Sequence, residues 1–245
     1  MLVVQGLRHA YAPAQVAIRD LTFEVSAGEI VSIVGPSGCG KTTLLKALAG
    51  LLTPTSGMIR FQSQVVRGVP DGLAMVFQEY SRSLLPWTTV HANIELPLRY
   101  QPIDSIERTQ RVAESLQAVG LSGFGDRYPW QLSGGMQQRV AIARALAYHP
   151  KLLLMDEPFA SVDAQTRADL EDLAAAVRDQ FDITIVLVTH DIDEAVYLSD
   201  RVVVLSGAPS VVLAQIPIDL PDRAIRLPRR LANNSLPSAR KLRGL

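Results

Sequence analysis

One cysteine is too few for an internal disulfide, so Cys39 leaves the chain without covalent cross-links and suits a reducing compartment. Twenty-four basic and 24 acidic side chains cancel, leaving no global basic field to hold nucleic acid. No apolar run approaches the roughly 20 residues a membrane-crossing helix needs; stretches such as Ile183 to Val188 and Val202 to Leu205 read as short buried strands. Met1 to Leu7 lacks the basic flank and long apolar stretch of a signal peptide, so a cytosolic location is expected unless a partner holds the chain at a membrane. Aromatics are scarce at 6 %, and internal repeats and long heptad segments are missing. What is present, 245 residues of which 48 % are hydrophobic, suffices for one large domain or a core with a subdomain.

The charge is unevenly placed. No acidic side chain follows Asp222, whereas Arg223, Arg226, Arg229, Arg230, Arg240, Lys241 and Arg243 are basic. Such a tail is either a solvated extension or a contact for anionic lipid headgroups, worth about 1 kcal/mol per basic residue near the surface.

The strongest motif is Gly35-Pro36-Ser37-Gly38-Cys39-Gly40-Lys41-Thr42, which fits G-x-x-x-x-G-K-[ST]. It lies between an apolar run, Ile30 to Val34, and a helix-forming run, Thr43 to Leu48. A chance match is expected about once per hundred chains of this length from average composition, and the flanking strand and helix lower those odds. Glycines let backbone N–H groups curl around phosphate oxygens, and the following helix adds its N-terminal donors and dipole. Lys41 is then expected to reach the β- and γ-phosphates of a nucleotide triphosphate, and the Thr42 hydroxyl to hold Mg²⁺. Cys39 inside this loop has two readings: a thiolate stabilised by backbone N–H groups and protected by ATP, or a small packing residue.

Around the loop, strands and helices alternate. Leu2 to Val25 alternates apolar and polar residues between Gly6, Pro13 and Gly28, which predicts an antiparallel β-region. Short strands are expected at Met58 to Phe61 and Leu73 to Phe77. Asp104 to Glu107 resembles a capping box, Val112, Leu116 and Val119 follow at helical spacing, and Gly120 is a natural stop. Residues 89–135 therefore read as a helical insert. Helices over Gln137 to Tyr148, Thr166 to Asp179 and Asp193 to Leu198 then alternate with strands at Leu152 to Met155, Thr184 to Val188 and Arg201 to Leu205. That pattern predicts an α/β fold with a parallel sheet covered on both faces.

Two further elements carry chemistry. Leu152 to Met155 is an apolar strand ending in Asp156 and Glu157. Asp156 can enter the Mg²⁺ shell, and Glu157, turned by Pro158, can orient or deprotonate a water at the γ-phosphate; without a P-loop the pair would be an exposed strand-end acid pair. Ser133 can cap a helix beginning near Gly134, and Gly134 and Gly135 expose backbone donors.

With Leu132-Ser133-Gly134-Gly135-Met136 in this order after the P-loop, the chain resembles the ATP-binding cassette (ABC) ATPases, whose signature is L-S-G-G-Q. The resemblance covers about residues 1–220, and Met136 departs at a variable position. It implies a P-loop NTPase (RecA-like) core with a parallel sheet, an N-terminal antiparallel β-region and an inserted helical subdomain. The expected boundaries are 1–88 and 136–222 for the core, 89–135 for the helical signature subdomain and 223–245 for the tail. By resemblance Gln78 approaches Mg²⁺ and the attacking water, Asp163 of Ser161-Val162-Asp163 belongs to the D-loop, and His190 contacts the γ-phosphate. Tyr11 is expected to stack on adenine with Val16 near the ribose. The P-loop set extends to Thr43; His9, His91 and His149 match no motif and read as ordinary surface or boundary residues.

The resemblance also implies a split site, in which ATP on Gly35 to Thr43 of one subunit is covered by Ser133 to Gly135 of another, hence a homodimer. Tyr80 to Trp87 lies where the family docks membrane subunits; Leu84, Leu85 and Trp87 either form a groove for a partner helix or belong to the helical core. That stretch, Tyr128-Pro129 and Ile216 to Pro221 resemble the importer branch for nitrate, sulfonates and taurine, which also handles other small solutes such as pyrimidine precursors. The expected partners are two transmembrane permease subunits and an extracytoplasmic solute-binding protein, at the cytoplasmic face of the inner membrane and without nucleic acid. A soluble non-transport ABC ATPase is the alternative, although two cassettes or coiled-coil arms would then be usual.

Overall fold

Short runs of β-branched and aliphatic residues, broken by glycine and proline, set the strands. The computed structural model describes residues 1–79 and 83–219. Tyr80, Ser81 and Arg82 of the expected docking stretch, and the basic tail at 223–245, lie outside the described residues. The chain divides into two compact units, one from residues 1–70 and 185 onward, the other from 71–184.

In the first unit the N-terminal alternation becomes an antiparallel pair, β1 (Leu2–Ala12) and β2 (Gln15–Val25), with Leu2 opposite Val25 and Val4 opposite Phe23. Strand β4 (Ser56–Phe61) pairs with the other edge of β1, and the short β5 (Gln64–Val65) follows it. The motif-bearing strand β3 (Ile30–Val34) is buried along its whole length and lies parallel to β8 (Thr184–Thr189) and β9 (Arg201–Leu205). Strand β10 (Ser210–Pro217) joins the two halves, antiparallel to β9 and parallel to β2. Sequence reading gave no strand there, because adjacent Val211 and Val212 blur the alternation. Helix α1 (Lys41–Leu48) follows β3, and α6 (Ile192–Leu198) covers a cluster of Val34, Ala195, Val196, Val202, Val204 and Ile216.

The second unit is built on the parallel pair β6 (Leu73–Val76) and β7 (Leu152–Asp156), with all five β7 residues buried. Helix α4 (Gly134–Ala147) contacts β6, α2 (Val90–Glu95), α3 (Ser105–Ala118) and α5 (Ala164–Phe181). The expected start of α3 is confirmed: Asp104 accepts a hydrogen bond from the Glu107 N–H at 2.8 Å, and the helix ends before Gly120. The helical segment expected over 89–135 falls within this unit. Asn93 is fully buried and binds the 85–89 turn through Leu85 N–H, Leu85 C=O and Thr88 Oγ1. No described helix is long and apolar enough to cross a membrane.

One polar cluster fixes where β3 and β9 begin. The Arg201 guanidinium grips Glu29 with both carboxylate oxygens, Nε–Oε1 at 2.9 Å and Nη2–Oε2 at 3.0 Å, and also donates to Gln215 Oε1 and the Glu24 carbonyl. Asp200 accepts from the Ile30 N–H at 2.7 Å. Bidentate pairing with little exposure gives the arrangement more weight than a surface ion pair. Arg201→Ala is expected to lower unfolding free energy by about 1–3 kcal/mol, since it strands a half-buried carboxylate. Urea unfolding followed by circular dichroism checks this, with Arg201→Lys recovering only part of the loss.

Candidate functional site

The phosphate-type loop begins where β3 ends. Parallel pairing sets Val34 opposite Thr189 and Val204, so Gly35 and His190 leave the sheet at adjacent strand ends. Open α/β sheets present their ligands at such carboxyl ends. Gly40 precedes α1 with φ near 100°, and a Cβ there would stand 3.2 Å from the Ala17 carbonyl, which makes glycine necessary. Helix α1 has neither a side-chain cap nor an acidic residue in its first turn. Its dipole end therefore favours negative charge, by about 0.3–2 kcal/mol per favourably placed charge.

Lys41 is buried, and its ammonium folds back onto the loop, donating to the Gly35 carbonyl at 2.8 Å and the Pro36 carbonyl at 3.1 Å. A cation is thus held on the carbonyls that open the loop, ahead of Ser37 and Gly38, and Thr42 follows it in the first turn of α1. Cys39 is 1 % exposed, its N–H bonds the Pro36 carbonyl, and burial pushes the thiol up from its ordinary value despite the Lys41 charge nearby. Of the two readings of Cys39, the structure supports the packing residue.

Thr43, buried in α1, shares a 2.9 Å hydrogen bond with the Tyr11 hydroxyl. Tyr11 is 56 % exposed near the end of β1, and Val16 lies opposite Ala10 across the hairpin. His9, expected to be an ordinary surface or boundary residue, is buried: it is 7 % exposed and meets the Tyr11 ring edge-on at 4.8 Å between centroids. The signal available was its spacing of two from the buried Leu7, because alternate residues of a strand share a face. His190 is exposed after β8, ahead of a helix whose cap is Asp191, accepting from the Asp193 and Glu194 N–H groups.

In the second unit the register of β6 and β7 sets Val76 opposite Met155, which brings Gln78 and Glu157 together just beyond. Gln78 Nε2 donates to Glu157 Oε2 at 3.2 Å. Asp156 is buried at the end of β7, while Glu157 takes φ +42°, a left-handed backbone unusual for a side-chain-bearing residue. Such strain costs on the order of 1–3 kcal/mol and persists where surroundings enforce it, often at active sites.

The signature and D-loop residues share one junction. Ser133 caps α4 by accepting from the Met136 N–H at 3.3 Å. Gly135 lies so close to α5 that a Cβ would stand 2.4 Å from Thr166 Cγ2. Asp163 caps α5: Oδ1 accepts from the Gln165 and Thr166 N–H groups and Oδ2 from the Thr166 hydroxyl at 2.6 Å. Gly134 leads the first turn between these two caps.

Leu84 is buried and Leu85 half-buried, whereas Trp87 is 72 % exposed. Of the two readings, partner groove and own core, Leu84 follows the second, being buried in the unit, whereas Trp87 stands exposed.

Residues 18–160 match the family described as ABC transporter. The nitrate import ATP-binding protein NrtD of Synechocystis sp. is 46 % identical over 206 residues, covering 84 % of this chain and 77 % of that protein. The taurine import ATP-binding protein TauB of Yersinia pestis bv. Antiqua is 41 % identical over 223 residues, covering 91 % and 86 %. Among solved structures, the dimeric post-hydrolysis state of the ATP-binding cassette MJ0796 bound to ADP and phosphate matches with a TM-score of 0.77 and 31 % identity, over 90 % of this chain and all of that one.

The Thr166 bonds, its hydroxyl first and its N–H second, hold the Asp163 carboxyl below its ordinary value. A depressed native value means that the carboxylate stabilises the fold above the unfolded-state pKa, near 4, and that this contribution is lost as pH falls through the native value. Asp163→Ala is accordingly expected to lower the urea midpoint at pH 7, with the gap to the parent protein closing in increasingly acidic buffer. Equal gaps at both ends of the series would contradict the cap.

Proposed function

Because the chain belongs to the ABC transporter family and is an ATP hydrolase, we propose that it is the ATP-hydrolysing subunit of an importer for a small solute. The relatives named for nitrate and taurine import support a small anion such as nitrate, an aliphatic sulfonate or taurine. The observation that carries the reading is the uncapped α1 N-terminus beside a buried ammonium held by two backbone carbonyls of the loop.

In this reading the triphosphate enters the loop from Gly35 to Thr43, and Lys41 exchanges its two carbonyl partners for β- and γ-phosphate oxygens. Backbone N–H groups and the helix end hold charge that develops on the transferring group, in a setting that needs little reorganisation. Glu157 takes a proton from the water that attacks the γ-phosphorus; the bond to the β–γ bridging oxygen breaks and ADP leaves. Gln78 holds the Glu157 carboxylate in place and, with His190, lines the γ-phosphate end. Tyr11 and Val16 receive the adenosine.

The oxygen donors fit magnesium. Asp156 is a single buried carboxylate, Thr42 adds a hydroxyl and Gln78 an amide oxygen, while no cluster of three or more His, Cys, Asp or Glu that could hold a metal occurs among the described residues. Mg²⁺ prefers one or two carboxylates completed by water and phosphate. When bound it neutralises part of the phosphate charge.

A second copy supplies Ser133, Gly134 and Gly135 over the nucleotide, with Asp163 at the same seam, giving a head-to-tail homodimer. The dimeric cassette structure supports this arrangement. Two permease subunits would hold the pair at the cytoplasmic face of the inner membrane, with Trp87 as a contact, and an extracytoplasmic binding protein would deliver the solute.

Glu157→Gln is expected to keep ATP affinity, lose roughly 10²–10⁴ in turnover, and elute as a dimer on gel filtration with saturating ATP. A monomer under those conditions, or undiminished phosphate release, contradicts the reading.

A further inference from the structure

His9 has an environment that a histidine rarely occupies without reason. It is 7 % exposed, and neither ring nitrogen has a hydrogen-bond partner among the described residues. Burying a polar ring unpaired is unfavourable, so hydrogen bonding does not account for its place. Its one recorded ring contact is the edge-to-face meeting with Tyr11, centroids 4.8 Å apart and planes at 86°. That geometry is the favoured one for two aromatic rings. The other end of Tyr11 is held as well, because its hydroxyl bonds Thr43 Oγ1 at 2.9 Å in the helix that follows the phosphate loop. An exposed tyrosine would otherwise sample several rotamers. Here the ring is held from two sides by buried residues, His9 and Thr43.

We propose that His9 is a positioning residue that holds the Tyr11 ring ready for the nucleotide base, acting as an aromatic wall and not through its nitrogens. The inference rests on the assignment of Tyr11 to adenine and adds a residue to it. Because His9 and Tyr11 both belong to β1 and their rings meet there, the wall is built into the strand and precedes ligand binding. A ring set beforehand loses less freedom when a base stacks on it. Ordering a mobile side chain lowers affinity by about 3- to 10-fold, and that is the penalty His9 removes.

The test compares Mg·ATP with Mg·tripolyphosphate, which has the phosphates but no base, by calorimetric titration of the full chain. His9→Ala should weaken ATP about 3- to 10-fold and leave tripolyphosphate unchanged. His9→Phe, which keeps an aromatic edge without polar atoms, should restore ATP affinity and unfold at no lower urea concentration than the parent protein. In a Tyr11→Ala background, His9→Ala should have no further effect on ATP. Unchanged ATP affinity in His9→Ala, equal weakening of both ligands, failure of His9→Phe to rescue, or a persisting effect without Tyr11 would each overturn the proposal. The adenine assignment itself fails separately, if Tyr11→Ala alone leaves the ratio of ATP to tripolyphosphate affinity unmoved.

Discussion

Helix α1 begins without a cap, and the loop before it is shaped around that fact. The first four N–H groups of a helix lack intrahelical partners, and a serine, threonine, asparagine or aspartate cap ordinarily accepts from one or two of them; here Gly40 stands in the capping position and offers no side chain. Lys41 adds positive charge to the same end and satisfies itself on loop carbonyls only 2.8 and 3.1 Å away. Both features favour an anion with several oxygens. The surrounding strands serve this arrangement: β3 is buried end to end, its parallel neighbours deliver His190 beside it, and the β1–β2 hairpin brings Ala17 and Tyr11 against the loop and α1.

The second unit repeats the logic with acids. A parallel pair ends in register, so that Gln78 and Glu157 meet one step beyond the strands. Glu157 holds a left-handed backbone where an ordinary residue would relax, and the buried strand before it prevents that relaxation. Helix ends in this unit are capped, by Ser133 and Asp163, in contrast to α1. Gly135 admits Thr166 so closely that a side chain there would collide with it, which sets the two caps at one corner. Signature and D-loop residues are therefore structural neighbours, and their chemistry is inseparable from helix packing.

Most of this was legible because the informative residues are local. A glycine-rich loop between a strand and a helix, a serine before two glycines and an acid pair before proline each act within a few positions, where spacing reports geometry. The antiparallel opening, the capping of α3 by Asp104 and the start of α4 beyond Ser133 followed from the same short-range rules. The strand that was missed and the alternatives left open were decided by contacts between distant residues. Strand β10 exists because β9 and β2 pair with it, not because its own residues alternate. Leu84 turned inward because Asn93, fully buried on α2, ties down the turn after it. Cys39 and His9 needed burial to be interpreted, and burial is a property of the fold.

The central claim is that the α1 terminus with Lys41 is the phosphate site. Calorimetric titration of Mg·ATP into the parent chain and into Lys41→Ala tests it directly, because the substitution removes the ammonium and leaves the glycine loop. The account predicts saturable binding to the parent chain and a loss of about 100-fold or more in the variant, the size expected for a charge-assisted contact. Equal affinity in the two proteins would contradict it.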